Sequence, residues 1–360
     1  MNPEVCIIIL NWNGWKDTIE CLESLYDNKY DNYRVILVDN ASEDDSVQKI
    51  KEYCQGEVKI SSNMVKYRTD NKPIEFVQIN EDEPDKKLSE PDKKSNIPDF
   101  EPDKKSKPNY GLILIRNYEN QGFATGNNTG MRFALNNFSP DYFLLLNNDT
   151  VVDPEFLTEL VNTASSDEKI GFVGPKTYLY DDEDVIQAAG GGNIDFSRGE
   201  SNEVAFMEKD KGKFDRDMEL DYVGGSCLLV KREVVEKVGF LDEEYYMYWE
   251  DVDWCFTGQE AGYKSIYSYK SKIWHKYGTS SQSYFKTYYH NRNRLYFMKK
   301  HAPPGYYREF MAHYLVEILK ESGYQLIYLR NWELFKSLIN GAVDGLKIKN
   351  PRCIKDKKKI

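Results

Sequence analysis

A short polar segment follows directly on an apolar run near the middle of the chain. Residues 143–146 read FLLL, and Asn147, Asn148 and Asp149 come next. Open α/β sheets bind ligands at the carboxyl ends of their strands, so a carboxylate there is well placed to hold a hard divalent cation, with amides beside it for other polar groups. An Asx turn leading into the next helix explains the same residues. Taken alone, the segment leaves both interpretations open.

A second acidic cluster lies in WEDVDW, residues 249–254, where Glu250, Asp251 and Asp253 fall in the predicted first turn of a helix. Acidic residues at that position favour the helix dipole, which is a purely structural explanation. The surrounding aromatic residues are Tyr245, Tyr246, Tyr248, Trp249 and Trp254. Aromatic walls partly desolvate a carboxylate and raise its pKa toward what a general base needs. The cluster is therefore a candidate catalytic base, with helix capping as the alternative.

Three further polar residues follow. His275, one of four histidines, stands after a predicted strand in IWHKYG and is able to supply a nitrogen ligand to the same metal, although a lone histidine is more often structural. Arg292 and Arg294, in HNRNRLYF, are candidates for neutralising a diphosphate. A solvated helix face explains the two arginines equally well.

The elements that must position these residues begin with a βαβ pattern. VCIIILNWNG predicts a buried strand ending at Asn11–Gly14, and DTIECLESLYD has the apolar spacing of a helix. YRVILVDN predicts a second buried strand that stops at Asp39 and Asn40, followed by a helix over residues 45–54. This order predicts a mostly parallel sheet flanked by helices, with its ligand side at the strand ends.

The α/β pattern resumes with YGLILIRN and a Gly-rich turn into a helix, NQGFATGNNTGMRFALNNF. The FLLL strand precedes a helix running to about Ala164, and a Gly- and charge-rich stretch occupies residues 181–220. A further helix is predicted from Glu250 to Gly262, then the strand carrying Trp274 and His275. From about residue 302 the pattern predicts a helical extension with a basic end, KIKNPRCIKDKKKI.

Composition limits the classes of function. The chain has 360 residues and a net charge of −11, which argues against a general nucleic-acid binder. Its six cysteines are scattered and predict reduced core thiols. No signal peptide opens the sequence and no apolar run is long enough for a membrane span, so a cytoplasmic protein, or one peripheral to a membrane, is expected. EPDKK occurs three times within residues 81–108, which predicts a disordered charged insertion.

Taken together in their order, these motifs resemble the inverting family-2 glycosyltransferases of the GT-A fold, close to the rhamnosyltransferase-like branch. The resemblance is carried by IIILNWNG, VILVDNASEDDS, NQGFATGNNTG, FLLLNNDTVVDPEFL, VGGSCLLVKREVVEKVGFLDEEYYMYWEDVDWCF, IWHKYG and YYHNRNRLYF. It covers about residues 4–300 apart from the insertion. It implies a glycosyltransferase domain over residues 1–300 and a helical extension over 301–360.

The resemblance also implies a role for each matching residue. Asp149 would coordinate Mg²⁺ or Mn²⁺ on the donor diphosphate as the end of a DxD-like motif whose first position is Asn147, and His275 would be a second metal ligand. Asp251, beside Glu250, would be the catalytic base. The residues implied around the nucleotide are Asn11, Trp12, Asp39, Asn40, Asn127, Asn147 and Asn148; which of Asp39 and Asn40 contacts the base is open. On the acceptor or diphosphate side it implies Gly224, Gly225, Trp249, Arg292 and Arg294.

The implied partners are a nucleotide-diphosphate sugar, dTDP- or UDP-linked, and a glycan or lipid-linked glycan acceptor. A single displacement would invert the anomeric centre and would require no enzyme nucleophile. The implied role is in cell-surface polysaccharide or glycan biosynthesis. The alternative is a catalytically silent nucleotide-sugar or glycan-binding protein of the same fold. A sugar nucleotidyltransferase is disfavoured because NWNGWKD stands where that class has a Gly-rich, Arg-containing loop. The basic tail suggests peripheral contact with an anionic membrane, or only a solubilising end.

Overall fold

The computed structural model describes residues 2–80, 111–278 and 283–349. The predicted disordered insertion at 81–108 and most of the basic tail lie outside these ranges. The strands are β1 Val5–Asn11, β2 Tyr33–Asp39, β3 Glu75–Asn80, β4 Gly111–Arg116, β5 Tyr142–Asn147, β6 Thr150–Val152, β7 Ile170–Leu179, β8 Val185–Ala189, β9 Gly191–Asp195, β10 Glu200–Glu203, β11 Glu208–Lys209, β12 Met218–Leu220, β13 Tyr222–Val223, β14 Cys227–Lys231 and β15 Lys264–His275. The helices are α1 Trp15–Leu25, α2 Ser46–Gln55, α3 Gly122–Asn137, α4 Phe156–Ser165, α5 Arg232–Val238, α6 Glu250–Glu260, α7 Ser283–His301, α8 Tyr306–Gly323 and α9 Trp332–Lys347.

The N-terminal half of the main sheet is parallel, in the order β3-β4-β2-β1-β5. The register pairs Asn11 with Asp39 and Leu10 with Asn147. Three predicted strands therefore end at one edge and bring their polar residues there, as the βαβ pattern predicted.

The second half of the sheet is mixed. β14 runs antiparallel between β5 and β7, and β7 is parallel to β15. β15 also pairs with the short β6, which places His275 opposite Thr150 and beside Asp149. The Gly- and charge-rich stretch after residue 180 forms β8 to β12, and β10, β9 and β13 make a separate small sheet.

Two apolar cores lie on the two faces of the main sheet. Strand side chains alternate in direction, so Ile8 joins one core while Ile7 and Ile9 join the other. The first core continues into the C-terminal helices through Phe297 and Phe310, which share it with α6. The helical extension thus packs on the same core as the residues before it. The five cysteines in the described residues are buried free thiols, as predicted.

Candidate active site

One cleft of about 370 Å³ opens where the strand ends meet the start of α6. Nine residues singled out from the sequence line it: Asn147, Asn148, Asp149, Gly224, Gly225, Trp249, Glu250, Asp251 and His275. The two acidic clusters are about a hundred residues apart in the chain. The fold brings them to the two sides of a single cavity.

Asp149 lies in the tight turn between β5 and β6 and is nearly buried. Its backbone carbonyl accepts the N–H of Lys276 at 3.0 Å, and the Thr150 hydroxyl closes the turn on the Asn147 carbonyl at 2.7 Å. His275 Nε2 is 3.2 Å from Asp149 Oδ1. That carboxylate oxygen is shielded from solvent but lacks a hydrogen bond of acceptable geometry. The turn therefore holds a carboxylate oxygen and an imidazole nitrogen face to face.

Gln187 on β8 fixes the other side of the imidazole. His275 Nδ1 and Gln187 Oε1 are 2.9 Å apart, and an amide oxygen only accepts, so Nδ1 carries the proton. Nε2 faces Asp149, with the Asn147 amide nitrogen 3.4 Å away. A partner on the remote nitrogen is how proteins orient histidine toward a metal. Sequence reasoning did not identify Gln187, because only the tertiary structure places it against His275.

The residues present fit a divalent cation with two protein ligands. A carboxylate oxygen and a neutral imidazole nitrogen suit Mn²⁺, and Mg²⁺ accepts the carboxylate while keeping water and phosphate oxygens for its other positions. Within the described ranges, no group of three or more His, Cys, Asp or Glu side chains converges on a metal-sized point. A site of this kind needs oxygens from a bound ligand to complete it.

Asp251 stands across the cleft in the first turn of α6. Its Oδ2 accepts the Gly225 N–H at 2.7 Å and its Oδ1 accepts the Val252 N–H at 2.8 Å. A Cβ at residue 225 would lie 3.2 Å from Oδ2, so glycine permits this close approach. At Gly224 a Cβ would meet no atom within 4 Å. Burial raises the pKa of Asp251, and the two backbone hydrogen bonds oppose that rise.

Glu250 is buried next to Asp251. Its Oε2 has no hydrogen-bond partner. Burial, followed by the charge of Asp251, raises the pKa of Glu250 well above its usual range. Two adjacent carboxyl groups in one desolvated place do not both ionise easily. The pKa of Glu250 is therefore raised further than that of Asp251, which favours the proton on Glu250.

The backbone before α6 is held in an unusual conformation. Tyr246, Tyr248 and Trp249 have φ values of 62°, 69° and 75°. Residues other than glycine seldom adopt a positive φ. Asn293 on α7 is fully buried and donates to the carbonyls of residues 245, 247 and 248, each at 2.8 Å. One amide group thereby holds the strained turn that aims Asp251. Trp249 lines the cleft but is only 4% exposed.

Asp253 points away from the cleft. It accepts hydrogen bonds from Tyr245 at 2.9 Å, His301 at 2.8 Å and Lys300 at 2.7 Å. Burial raises its pKa, but the hydrogen bond from His301 and the charge of Lys300 outweigh this and leave the pKa lowered. The third acid of the WEDVDW cluster is thus a structural ion-pair partner of α7.

The ends of β1 and β2 form a closed polar network. Asn11 donates to Asp39 Oδ1 at 2.8 Å and accepts the Thr18 hydroxyl at 2.9 Å. Ser42 donates to Asp39 through its hydroxyl at 2.6 Å and its N–H at 3.1 Å. Asn148 joins the network by donating to Thr18 at 3.0 Å. Asn11 and Asp39 are fully buried, so these side chains fix the edge of the sheet.

Asn40 and Asn127 are also occupied within the protein. Asn40 bonds Asn117, Asn120 and the backbone of residues 121 and 122, and the Asn127 amide donates to the Phe123 carbonyl in α3. Both are buried and neither lines the cleft. Trp12, by contrast, is 52% exposed and presents a free indole face near this edge.

The two arginines predicted as diphosphate ligands are not among the residues that line the cleft. Arg292 pairs with the side chain of Glu244 and donates to its carbonyl at 2.6 Å. Arg294 is buried, pairs with Glu317 at 2.7 Å and donates to the Arg198 carbonyl. The two arginine side chains are mostly buried, and each pairs with an acid at the protein surface.

Three charged cleft residues were missed by sequence reasoning. One is Lys276, which pairs with Asp17 and Glu20. Lys286, in the first turn of α7, lines the cleft and forms no ion pair with any residue that the structure describes. Glu203, at the end of β10, lines the opposite wall; burial, then the charge of Asp251, raises its pKa to about 7. Glu203 lies in a stretch without apolar periodicity, and nothing local marks it.

Comparison with known proteins identifies the family. A family model described as glycosyltransferase like family 2 matches residues 88–297. A second, described as glycosyl transferase family 2, matches residues 6–72. The first alone covers more than half of the chain.

Two curated relatives match shorter segments. A low-salt glycan biosynthesis hexosyltransferase of Haloferax volcanii is 25% identical over 140 residues, which are 39% of this chain and 44% of the relative. An N-acetylglucosaminyl-diphospho-decaprenol L-rhamnosyltransferase of Mycobacterium tuberculosis is 43% identical over 54 residues, 15% of this chain and 18% of the relative. The chain thus spans less than half the length of these relatives in the matched segments.

Solved structures share the fold. A mannosyltransferase from Pyrobaculum calidifontis, in complex with GDP-Man and Mn²⁺, has a TM-score of 0.53 at 15% identity, covering 96% of this chain and 88% of that one. GalNAc-T7 with UDP, GalNAc and Mn²⁺ has a TM-score of 0.56 at 15% identity, covering 94% and 54%. Likeness at this level of identity establishes the GT-A fold, as the sequence motifs implied.

Proposed function

Because this chain belongs to glycosyltransferase family 2, we propose that it transfers a hexose from a nucleotide-diphosphate sugar to an acceptor hydroxyl with inversion at the anomeric carbon. One observation carries the proposal: Asp251 lines the same cleft as the pair formed by Asp149 and His275. A base and an anion-binding point facing each other across a cavity suit a single displacement.

Asp149 and His275 would hold the divalent cation, Mg²⁺ or Mn²⁺. When bound, this ion supplies charge neutralisation for the departing nucleoside diphosphate. Asn147, in the place of the family's first Asp, adds no charge but has an amide within reach of His275. Lys286 replaces the two arginines as the cation proposed to contact the diphosphate. It lines the cleft and forms no ion pair with an acid that the structure describes.

Asp251 would take the proton from the acceptor hydroxyl as that oxygen attacks the anomeric carbon from the face opposite the leaving group. Its raised pKa brings its basicity closer to what proton abstraction requires. Protonated Glu250 keeps a second negative charge away from the reacting centre. The Gly225 N–H orients the carboxylate, and Asn293 holds the turn that presents it.

The classes of donor and acceptor are proposed from the chemistry of the side chains around the cleft. Trp12 offers a stacking face for the base of a dTDP- or UDP-linked sugar. Glu203, Tyr248 and Tyr277 line the outer cleft and suit a sugar, since carboxylates accept hydroxyl hydrogen bonds and aromatic rings pack on sugar faces. By analogy with the rhamnosyltransferase relative, the acceptor would be a lipid-linked glycan in surface-polysaccharide assembly.

The decisive experiment compares Asp251→Asn with the wild type on a panel of nucleotide-sugars with Mn²⁺. We expect transfer and donor hydrolysis to fall by about 10²–10⁴-fold while donor binding, followed by thermal shift, persists. Asp184→Asn, a change at an exposed surface carboxylate, is the matched control. Undiminished transfer by Asp251→Asn would rule out this residue as the base. A wild type that binds donors but transfers nothing to any acceptor would favour a silent binding protein.

A further inference from the structure

The turn between α8 and α9 carries an unusual concentration of exposed apolar side chains. We name as the apolar tip the residues Leu319, Leu326, Ile327, Tyr328, Leu329 and Trp332. Leu319, Ile327 and Tyr328 are 74%, 80% and 75% exposed, and Trp332 is 54% exposed. A contiguous apolar surface of this kind on a folded protein marks an interaction site.

The tip is well formed. A π-helical segment, Tyr324–Tyr328, links the helices, and the rings of its first and last residues stack at 5.1 Å. The Asn331 N–H donates to the Gln325 carbonyl at 2.9 Å, and the Asn331 side chain caps α9 through the Leu334 N–H at 3.1 Å. Gln325 is 3% exposed. The turn therefore buries its amide and presents its apolar groups to solvent, the reverse of the usual arrangement.

Two cations lie within this turn. Lys320 follows Leu319 and Arg330 follows Leu329, and neither forms an ion pair with a residue that the structure describes. Glu321 and Glu333 are the acids next to them in the chain. Lipid phosphates would give the two unpaired cations a partner.

We propose that the apolar tip inserts into the headgroup region of an anionic membrane. Trp and Tyr favour that interfacial depth, leucine and isoleucine gain by leaving water, and the neighbouring cations meet lipid phosphates. Among the described helices, none is long and apolar enough to cross a bilayer. The proposed contact is therefore one of a protein lying on the membrane surface through one helical turn.

The tip is connected to the cleft by tight packing. A Cβ at Gly341 or Gly345 of α9 would fall 2.4 Å or 2.7 Å from a backbone carbonyl of α7, and Tyr288 on α7 bonds Asp344 at 3.0 Å. Lys286 at the start of α7 lines the cleft. A docked tip would thereby hold the cleft near the membrane. The benefit of that position rests on the proposed function, in which the acceptor is lipid-linked. Membrane binding itself is measured without activity.

The test is co-sedimentation of the full chain with vesicles of phosphatidylcholine, with and without phosphatidylglycerol. We expect binding that strengthens with the anionic lipid. The double variant Ile327→Glu/Tyr328→Glu should lose binding by about tenfold or more on both vesicles. The double variant Lys320→Gln/Arg330→Gln should lose mainly the phosphatidylglycerol-dependent part. Met207→Glu, an exposed apolar position between β10 and β11, is the control and should bind like wild type.

Equal binding by wild type and the double variant would overturn the proposal. A wild type that binds neither kind of vesicle would also overturn it. Light scattering then shows whether the wild type is a monomer, or a dimer whose association is lost in the double variant. The dimer result would assign the apolar tip to a second copy of the chain. Circular dichroism melting of the double variant checks that its fold is intact. Soluble-acceptor transfer, measured in parallel, reports failure of the proposed function separately from failure of docking.

Discussion

Two sides of the ligand edge of the sheet differ in how far their polar groups are satisfied. At the ends of β1 and β2, Asn11, Asp39 and Asn40 are buried and bonded to one another or to neighbouring loops. Around β6 and α6, Asp149 Oδ1 and Glu250 Oε2 are buried without a hydrogen-bond partner. A buried polar atom left unpaired costs about 1–3 kcal/mol. The first side is a completed frame, and the second keeps groups ready for a ligand.

The difference separates what holds the structure from what acts on a ligand. Substitutions in the frame should reduce stability, while substitutions at the unpartnered groups should reduce activity and leave stability nearly unchanged. Each prediction below sets one side against the other.

The largest effect is expected at the unpartnered carboxylate. Asp149→Asn keeps the shape of the side chain but removes the charge that would hold the cation, so transfer should fall by about 10²–10³-fold. The melting temperature without metal should change little, since the carboxylate oxygen makes no hydrogen bond to lose. Activity assays over a Mn²⁺ titration and thermal melts in EDTA measure the two quantities. Strong destabilisation with retained activity would place Asp149 in the frame.

The second effect concerns the frame. Asn40→Ala removes the bonds to Asn117, Asn120 and residues 121 and 122, and leaves buried partners unpaired, so the free energy of unfolding should fall by about 2–4 kcal/mol. Urea denaturation measures it. Well below the transition, the remaining folded enzyme should keep its Mn²⁺ affinity. A weakened Mn²⁺ affinity with normal stability would contradict the division.

A smaller effect is expected behind His275. Gln187→Leu removes the acceptor that fixes Nδ1–H, so metal affinity should drop by about 10–100-fold. Calorimetric titration of Mn²⁺ in the presence of nucleoside diphosphate gives the affinity. Gln187→Glu, which keeps an acceptor at that position, should recover most of the loss. Equal affinity in all three proteins would remove Gln187 from the site.

The smallest effect is a pH dependence of stability. Glu203 has a folded-state pKa of about 7 against 4.5 for the ordinary group, so the native state binds more protons than the unfolded chain between these values. Stability should therefore fall as pH rises from about 4.5 to about 7 and level off above. Glu203→Gln should remove that slope and be more stable at pH 8 by about 1 kcal/mol, a modest value because the carboxyl group is partly exposed. Thermal melts in EDTA at a series of pH values test whether stability falls as pH rises.

Local pattern was sufficient for β1, β2, β4 and β5 of the parallel half of the sheet, whereas β3 was not predicted. The apolar runs around Ile8, Ile36 and Leu145 predict buried strands whatever surrounds them, and their polar ends identify the ligand edge. Asp149, Asp251 and His275 were predicted as site residues because each sits at the end or start of a strongly patterned element. The structure places all three residues in the lining of one cleft.

Residues that act through tertiary contact were not accessible in this way. Arg292 and Arg294 look the same in sequence whether they face a diphosphate or Glu244 and Glu317, since the pairing depends on which helix packs on α7. Glu203 lies in a stretch with no apolar period, and Asn293 is recognisable as a clamp only once the turn at residues 245–248 is seen beneath it.

The sequence by itself determined the family, the parallel strands and the acids at their ends, because these depend on local periodicity and on short motifs. Only the tertiary structure decided which charges remain unpaired. Charge pairing and desolvation are set by neighbours distant in the chain: Asp253 is neutralised by α7 while Asp251, two residues earlier, faces the cleft. The same holds for the apolar tip, whose exposure follows from what α8 and α9 leave uncovered.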